Sequence, residues 1–275
     1  MRFSLCNEVL RPLPFAAQCE MAAALGYDGL EVAPFTLGDA PHRLPAAKRR
    51  ALRRQAEDAG LAVTGLHWLL VAPEGLSIVS EDADIRRQTV DVIAALCALC
   101  ADLGGSYLVH GSPAQRRLPE GQEIEAAKRA VDVLAQAAQA AERAGVVYCL
   151  EPLHRGETNF VNTIAEAADI VRRIDNRHFR TMLDCSAAGL SETDNVPNLL
   201  RQWLPSGLLA HVQVNDPNRQ GPGQGAMQFA PILAALKAGG YAGDVAVEPF
   251  IYTPDGPGSA ARAIGYLRGI WESLP

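Results

Sequence analysis

Leu208-Leu-Ala-His211-Val-Gln213-Val-Asn215-Asp-Pro-Asn-Arg219-Gln-Gly-Pro-Gly-Gln-Gly225 is the stretch that decides how the chain is read. Alternation puts Leu209, His211, Gln213 and Asn215 on one face of a strand and Ala210, Val212 and Val214 on the other. Polar side chains on one face and small apolar ones on the other do not suit a sandwich strand. They suit a parallel barrel, whose outer face packs on helices and whose inner face reaches a site near the strand's carboxyl end. The Gly/Pro-punctuated segment that follows carries Arg219, a fitting place for a substrate-binding arm.

Working outward, seven more strands are expected at residues 3–7, 27–33, 61–67, 106–110, 146–151, 179–184 and 244–248. Helical periodicity is expected at 14–25, 45–59, 82–103, 120–144, 163–174, 197–203, 229–238 and 259–273. Gly26, Gly60, Gly104, Gly145 and Gly239 stop five of these helices, and an Asp-rich loop is expected after the sixth strand. Eight strand–helix alternations without a linker predict one (β/α)8 TIM barrel domain over 1–275. A doubly wound sheet has fewer units, and no Gly-x-Gly-x-x-Gly follows the first strand.

Composition narrows the classes. The 275 residues suit the ~250-residue size of such a barrel, and 48% hydrophobic with 20% charged residues is ordinary for a globular protein. A net charge of −6 argues against a nucleic-acid surface. No apolar run reaches the ~20 residues of a membrane span. Met1-Arg-Phe-Ser-Leu-Cys-Asn-Glu8 is already strand-like and meets a carboxylate too early for a signal peptide. The six cysteines show no secreted framework, and Cys97-x-x-Cys100 lies in an apolar helical run, so buried thiols in a reduced cytoplasm are expected. The expected partner is a small molecule, with no nucleic acid and no membrane; a homo-oligomer is left open.

Three strand ends carry a carboxylate after an apolar run: Tyr148-Cys-Leu-Glu151, Thr181-Met-Leu-Asp184 and Val245-Ala-Val-Glu248. Gln213 adds an amide oxygen from the strand between the last two. Neighbouring strands lie ~4.8 Å apart, so these four side chains can converge on one ion. Carboxylates held together repel, and a divalent cation relieves the repulsion. Oxygen ligands favour Mn²⁺, with Mg²⁺ or Co²⁺ as alternatives, over zinc. The competing reading pairs these carboxylates with interior bases such as Arg180 or Arg155. His211 lies two residues deeper, ~6.6 Å along the strand, a depth that suits a partner behind the ligands. His67, His110 and His154 sit at or after strand ends, where each can touch substrate or serve as a structural hydrogen-bonder. Trp68 offers an apolar wall for a sugar, although packing explains it nearly as well. Glu31 is expected in an interior ion pair. Arg116 and Arg117, after strand four, can recognise an anionic group, but a solvated loop is the expectation.

At these residues the chain resembles the xylose-isomerase-like barrels, a superfamily that includes ketose 3-epimerases, hydroxypyruvate isomerases and endonuclease IV-type enzymes. The likeness is sharpest in Leu150-Glu-Pro-Leu-His-Arg-Gly-Glu-Thr-Asn-Phe-Val-Asn162, Met182-Leu-Asp184, Asn218-Arg-Gln-Gly-Pro-Gly-Gln-Gly225 and Val247-Glu-Pro-Phe250. Gly65-Leu-His-Trp68 and Gly111-Ser-Pro113 are similar to the tagatose/psicose 3-epimerase group. The resemblance implies that Glu151, Asp184, the strand-seven residue and Glu248 hold the metal. It implies further that Glu151 and Glu248 act as acid and base on opposite faces of the substrate, and that Glu157 and Arg219 contact its oxygens. Two departures stand out. The epimerases carry His-x-His in strand seven with the second His as ligand, whereas Gln213 stands there here, as in hydroxypyruvate isomerases and dehydroshikimate dehydratases. Ala187 replaces a substrate-binding His, and His154 replaces the Asn expected before Arg155.

The implied chemistry begins with a hydroxy-ketone whose α C–H is acidified because the metal stabilises the enediolate. A carboxylate takes the proton, and the same or the opposite carboxylate returns it. Return to the other face is epimerisation, return to the neighbouring carbon is isomerisation, and loss of a β-hydroxyl is dehydration. The expected function is a metal-dependent isomerase or epimerase of a small ketose or hydroxy-keto acid, in carbohydrate metabolism. Alternatives are a dehydratase or lyase of the same barrel, an endonuclease IV-like repair enzyme, and a non-catalytic sugar-binding barrel. Against the repair enzyme, Ala187 and Gln213 stand where two of its zinc-binding histidines would be needed.

Overall fold

Short apolar strands alternating with longer amphipathic helices can bury both faces of a sheet only by wrapping helices around it. In a computed structural model describing residues 1–275, this is the outcome. β1 (Arg2–Cys6), β2 (Gly29–Val32), β3 (Ala62–Leu66), β4 (Tyr107–His110), β5 (Val147–Leu150), β6 (Phe179–Asp184), β7 (Leu209–Val214) and β8 (Asp244–Val247) pair in parallel in chain order. β8 returns to β1 and closes the barrel. The (β/α)8 expectation holds, with strand bounds within two residues of those read from alternation.

The outer layer is α1 (Phe15–Leu25), α2 (Ala46–Asp58), α3 (Ala83–Leu103), α4 (Glu123–Ala144), α5 (Ile164–Ile174), α6 (Cys185–Ser191), α7 (Val196–Trp203), α8 (Phe229–Ala238) and α9 (Gly256–Ser273). Local chemistry sets their ends. Asp82 caps α3 by accepting from the Asp84 N–H, and Gly104 closes it with a left-handed φ of 91°. Thr163 caps α5 while Glu166 reaches back to the Asn162 N–H. All six cysteines are free and buried, and no helix is long and apolar enough to cross a membrane.

Two details depart from the sequence reading. The loop expected after Asp184 is helix α6, because Asp184 Oδ1 accepts from the Ala187 N–H at 2.7 Å and starts a turn. In β7 the register against β6 slips by one residue, from Thr181–Leu209 to Met182–His211. Ala210, opposite the slip, packs with Tyr107, Val109, Cys149 and Met182 instead of joining Val212 and Val214 in the layer beneath the helices.

Candidate active site

Asp184 ends β6, while Glu151 and Glu248 directly follow β5 and β8. Their carboxylates lie within 4.8 Å of one another and line a cavity of about 310 Å³. None of the three is more than 7% exposed. Gln213, wholly buried, is in register with Asp184 on one side and Ala246 on the other. A Cβ on Gly111 would lie 2.2 Å from Glu151 Oε2, so only glycine leaves that oxygen its place.

The electrostatics are those of charges without enough partners. Burial drives the Glu151 carboxyl well above its usual range and Asp184 adds to the rise, with Arg116 opposing it. Burial, then Glu151 and Asp184, does the same to Glu248. Burial raises Asp184 to about 7 against the Ala187 N–H, which favours its charge. No arginine or lysine pairs with the trio. Arg180 instead donates to the Asn176 and Phe179 carbonyls, and Arg155 reaches Asn162 and Glu166.

Among the four candidate ligands, two buried oxygens have no hydrogen-bond donor: Asp184 Oδ2 and Gln213 Oε1. Each belongs to a side chain whose other end is fixed, Asp184 by its cap on α6 and Gln213 by donating Nε2 to Glu31 Oε1 at 2.7 Å. An unsatisfied buried polar atom costs about 1–3 kcal/mol and calls for an ion or water. The three carboxylates form a hard, all-oxygen donor set, which fits a divalent cation. Gln213, in register with Asp184, lies behind them and does not itself line the cavity.

Deeper in the barrel lies a second polar group with the opposite character. Glu31, fully buried, accepts from the Tyr107 hydroxyl at 2.5 Å and has His211 Nε2 at 2.8 Å and His67 Nδ1 at 3.4 Å. Tyr107 also stacks on His211, with ring centroids 4.1 Å apart. Burial alone would raise the Glu31 carboxyl, but His211, His67 and Tyr107 together outweigh it and bring it down to about 2. The expected interior ion pair of Glu31 is present.

Of the residues singled out in the sequence, Glu157, Arg219, Trp68 and His154 line the cavity with the trio. Trp68 Nε1 donates to Glu248 Oε1 at 3.0 Å, and His154 lies 3.6 Å from Glu157. Trp68 and Arg219 both adopt left-handed backbone, φ 52° and 69°, which is uncommon for such residues and often marks a functional site. Arg219 is pinned from both sides: its N–H donates to the Asp216 carbonyl, and its own carbonyl accepts from Phe250 and Ile251. His67 does not line the cavity. It is 1% exposed, 3.0 Å from Glu8 Oε2 and 3.8 Å from Glu248 Oε1. His211 lies in the floor with Glu31, and His110 is buried against the Tyr148 hydroxyl at 2.6 Å.

Arg116, expected in a solvated loop, is wholly buried; its guanidinium donates to the His110 carbonyl and its charge faces Glu151 and Glu157. The carboxylates behind it draw it inward. Glu8, Tyr107 and Asn215 were not assigned roles from sequence. Asn215 accepts from the Ser186 N–H and donates to the Glu248 carbonyl, tying the ends of β6, β7 and β8 together. Its place on the inward face of strand seven was the one available signal.

Comparison with known proteins agrees with this architecture. A family model described as a xylose isomerase-like TIM barrel matches residues 19–270. D-psicose 3-epimerase from Ruminiclostridium cellulolyticum is 31% identical over 242 residues, covering 84% of this chain and 77% of that protein. D-psicose 3-epimerase from Agrobacterium fabrum is 27% identical over 264 residues, covering 94% and 85%. The crystal structure of D-psicose 3-epimerase with D-tagatose from Clostridium cellulolyticum H10 superposes with a TM-score of 0.85 at 22% identity, over 98% of this chain and 99% of that one. The chain belongs to the xylose isomerase-like TIM barrel family.

Proposed function

We propose that this chain is a divalent-metal-dependent isomerase or epimerase acting on a small ketose or hydroxy-keto acid. The observation that carries this reading is the buried trio of Glu151, Asp184 and Glu248; Asp184 has an unpartnered oxygen, and so does Gln213, in register with it on the next strand. These four residues would hold one ion, Mn²⁺ first among the candidates. When bound, it would polarise a substrate carbonyl and acidify the neighbouring C–H.

The remaining work falls to the chain's own groups. Glu151 and Glu248 follow strands three apart in the ring and would take and return the proton at their carboxylates. The Trp68 indole N–H fixes one oxygen of Glu248 and leaves the other for that task. Glu157 and Arg219 would orient substrate oxygens, with His154 beside Glu157, while Trp68 and Phe250 supply an apolar wall.

The test is an exchange screen by NMR in D₂O, with EDTA-stripped and Mn²⁺-loaded protein, using D-psicose, D-fructose, D-tagatose and hydroxypyruvate. Deuterium at a carbon next to the carbonyl, only with Mn²⁺, is the expected result. Loss of water from a substrate would move the assignment to a dehydratase. Identical melting curves with and without Mn²⁺, and no exchange in any compound, would overturn it.

A further inference from the structure

The two ends of a glutamine amide have the same shape and differ only in hydrogen bonding, so the surroundings of Gln213 decide which atom points where. Its Nε2 meets Glu31 Oε1 at 2.7 Å. Glu31 accepts a hydrogen bond on each oxygen, with two imidazole nitrogens close by. Gln213 Nε2 and His67 Nδ1 face Oε1, and the Tyr107 hydroxyl and His211 Nε2 face Oε2. With the other Glu31 oxygen already taken by the Tyr107 hydroxyl, a reversed Gln213 amide would set its Oε1 2.7 Å from Glu31 Oε1, acceptor against acceptor, at a wholly buried position. The observed orientation leaves Gln213 Oε1 buried and without a donor, in register beside Asp184.

We infer that Glu31 is a positioning residue that makes Gln213 a cation ligand, by binding its NH₂ end and so presenting its oxygen to Glu151, Asp184 and Glu248. The inference rests on the proposed function, in which Gln213 contributes to the metal site. It gives the buried hub around Glu31 a task besides holding the barrel floor. Glutamine can serve at this position only while an acceptor-only partner stands behind it.

The experiment is calorimetric titration of Mn²⁺ into EDTA-stripped full-length protein at one pH, for wild type, Gln213→Ala, Glu31→Gln and the swap Glu31→Gln/Gln213→Glu. In Glu31→Gln the new amide can donate to Gln213 Oε1 and turn the Gln213 NH₂ toward the carboxylates. Affinity should fall about 10–100-fold, as when a partner supporting a metal ligand is lost. In the swap, the amide at 31 donates to one oxygen of the new carboxylate, keeps its own oxygen for Tyr107 and His211, and leaves the second carboxylate oxygen for Mn²⁺. Affinity should return to within a few-fold of wild type, a rescue that a purely structural role of Glu31 does not predict. Wild-type affinity in Glu31→Gln overturns the inference, as does a folded swap protein at least tenfold weaker than wild type. Should Glu31→Gln fail to fold, the swap protein decides by the same criterion. Failure of the underlying reading looks different: wild type takes up no Mn²⁺, or Gln213→Ala binds as tightly as wild type, and either result removes the inference with it.

Discussion

The barrel holds buried carboxylates in two places and treats them in opposite ways. In the floor, Glu31 has donors on both oxygens and stays charged, its carboxyl brought down to about 2. At the mouth, Glu151, Asp184 and Glu248 face each other and are raised, Asp184 to about 7. Burial does not separate the two groups, since all four residues are 7% exposed or less. Partners do. A fold that places histidines and a tyrosine around one carboxylate, and gives three others no ion pair and only the charge of Arg116 facing Glu151, leaves the second group to be completed from outside.

The contrast breaks most visibly when charge is removed at the mouth. Glu248→Gln, at the carboxylate whose charged neighbours Glu151, Asp184, Glu8 and Glu31 all repel it, should lower Mn²⁺ affinity by more than the about 10–100-fold that loss of a supporting partner costs. It should also raise the melting temperature of the metal-free protein at pH 8, because one of three repelling charges is gone. Calorimetry and melting curves check the pair; a lower metal-free melting temperature would contradict the picture of an unsatisfied mouth.

In the floor the same kind of change has the reverse outcome. His211→Ala leaves Glu31 charged and short of a partner, and should destabilise the protein by about 3–5 kcal/mol in urea unfolding. Mn²⁺ binding should survive. If His211→Ala loses the ion while Gln213→Ala keeps it, the ligand assignment is wrong.

The two regions also give opposite slopes with pH. At the mouth the folded-state values lie above the unfolded ones, so the folded state holds extra protons. Metal-free stability from these groups is therefore lost as pH rises from about 4 through the neutral range. Glu31 lies below its unfolded value, so its contribution is present above about 4.5 and disappears as pH falls toward 2. Melting in EDTA should decline between pH 4 and 8, and saturating Mn²⁺ should cancel the decline; a flat curve in EDTA would remove the distinction.

The smallest effect belongs to the contact between wall and carboxylate. Trp68→Phe keeps an aromatic surface but removes the N–H that Glu248 accepts. Deuterium incorporation into an active ketose should slow about tenfold, the scale of one hydrogen bond to a charged group. Mn²⁺ affinity should change little.

Much of this was legible in the chain. Apolar runs closed by Glu151, Asp184 and Glu248 marked strand ends, and period-two alternation placed His211, Gln213 and Asn215 on one face. What alternation does not carry is depth or distance across a barrel. Tyr107 and Glu31 are 76 residues apart, and nothing local links them. Helix α6 escaped because Cys-Ser-Ala-Ala-Gly-Leu-Ser is too short for a period, and its cap was already read as a strand end. Arg116 reads as solvated because a charged residue in a loop ordinarily is, and only the folded arrangement puts Glu151 and Glu157 behind it.

Asp184 begins helix α6 with one oxygen and turns the other toward the site, and α6 supplies Ala187 and Leu190 to the cavity wall. For anyone seeking to alter which substrates the barrel accepts, this ties shape to chemistry. Side chains at positions 187 and 190 can be exchanged, because the anchor is the backbone N–H of Ala187. Insertions or deletions in 185–187 would move that N–H and pull the carboxylate with it. The cavity can be re-lined here, but it cannot be re-looped without disturbing the group at its centre.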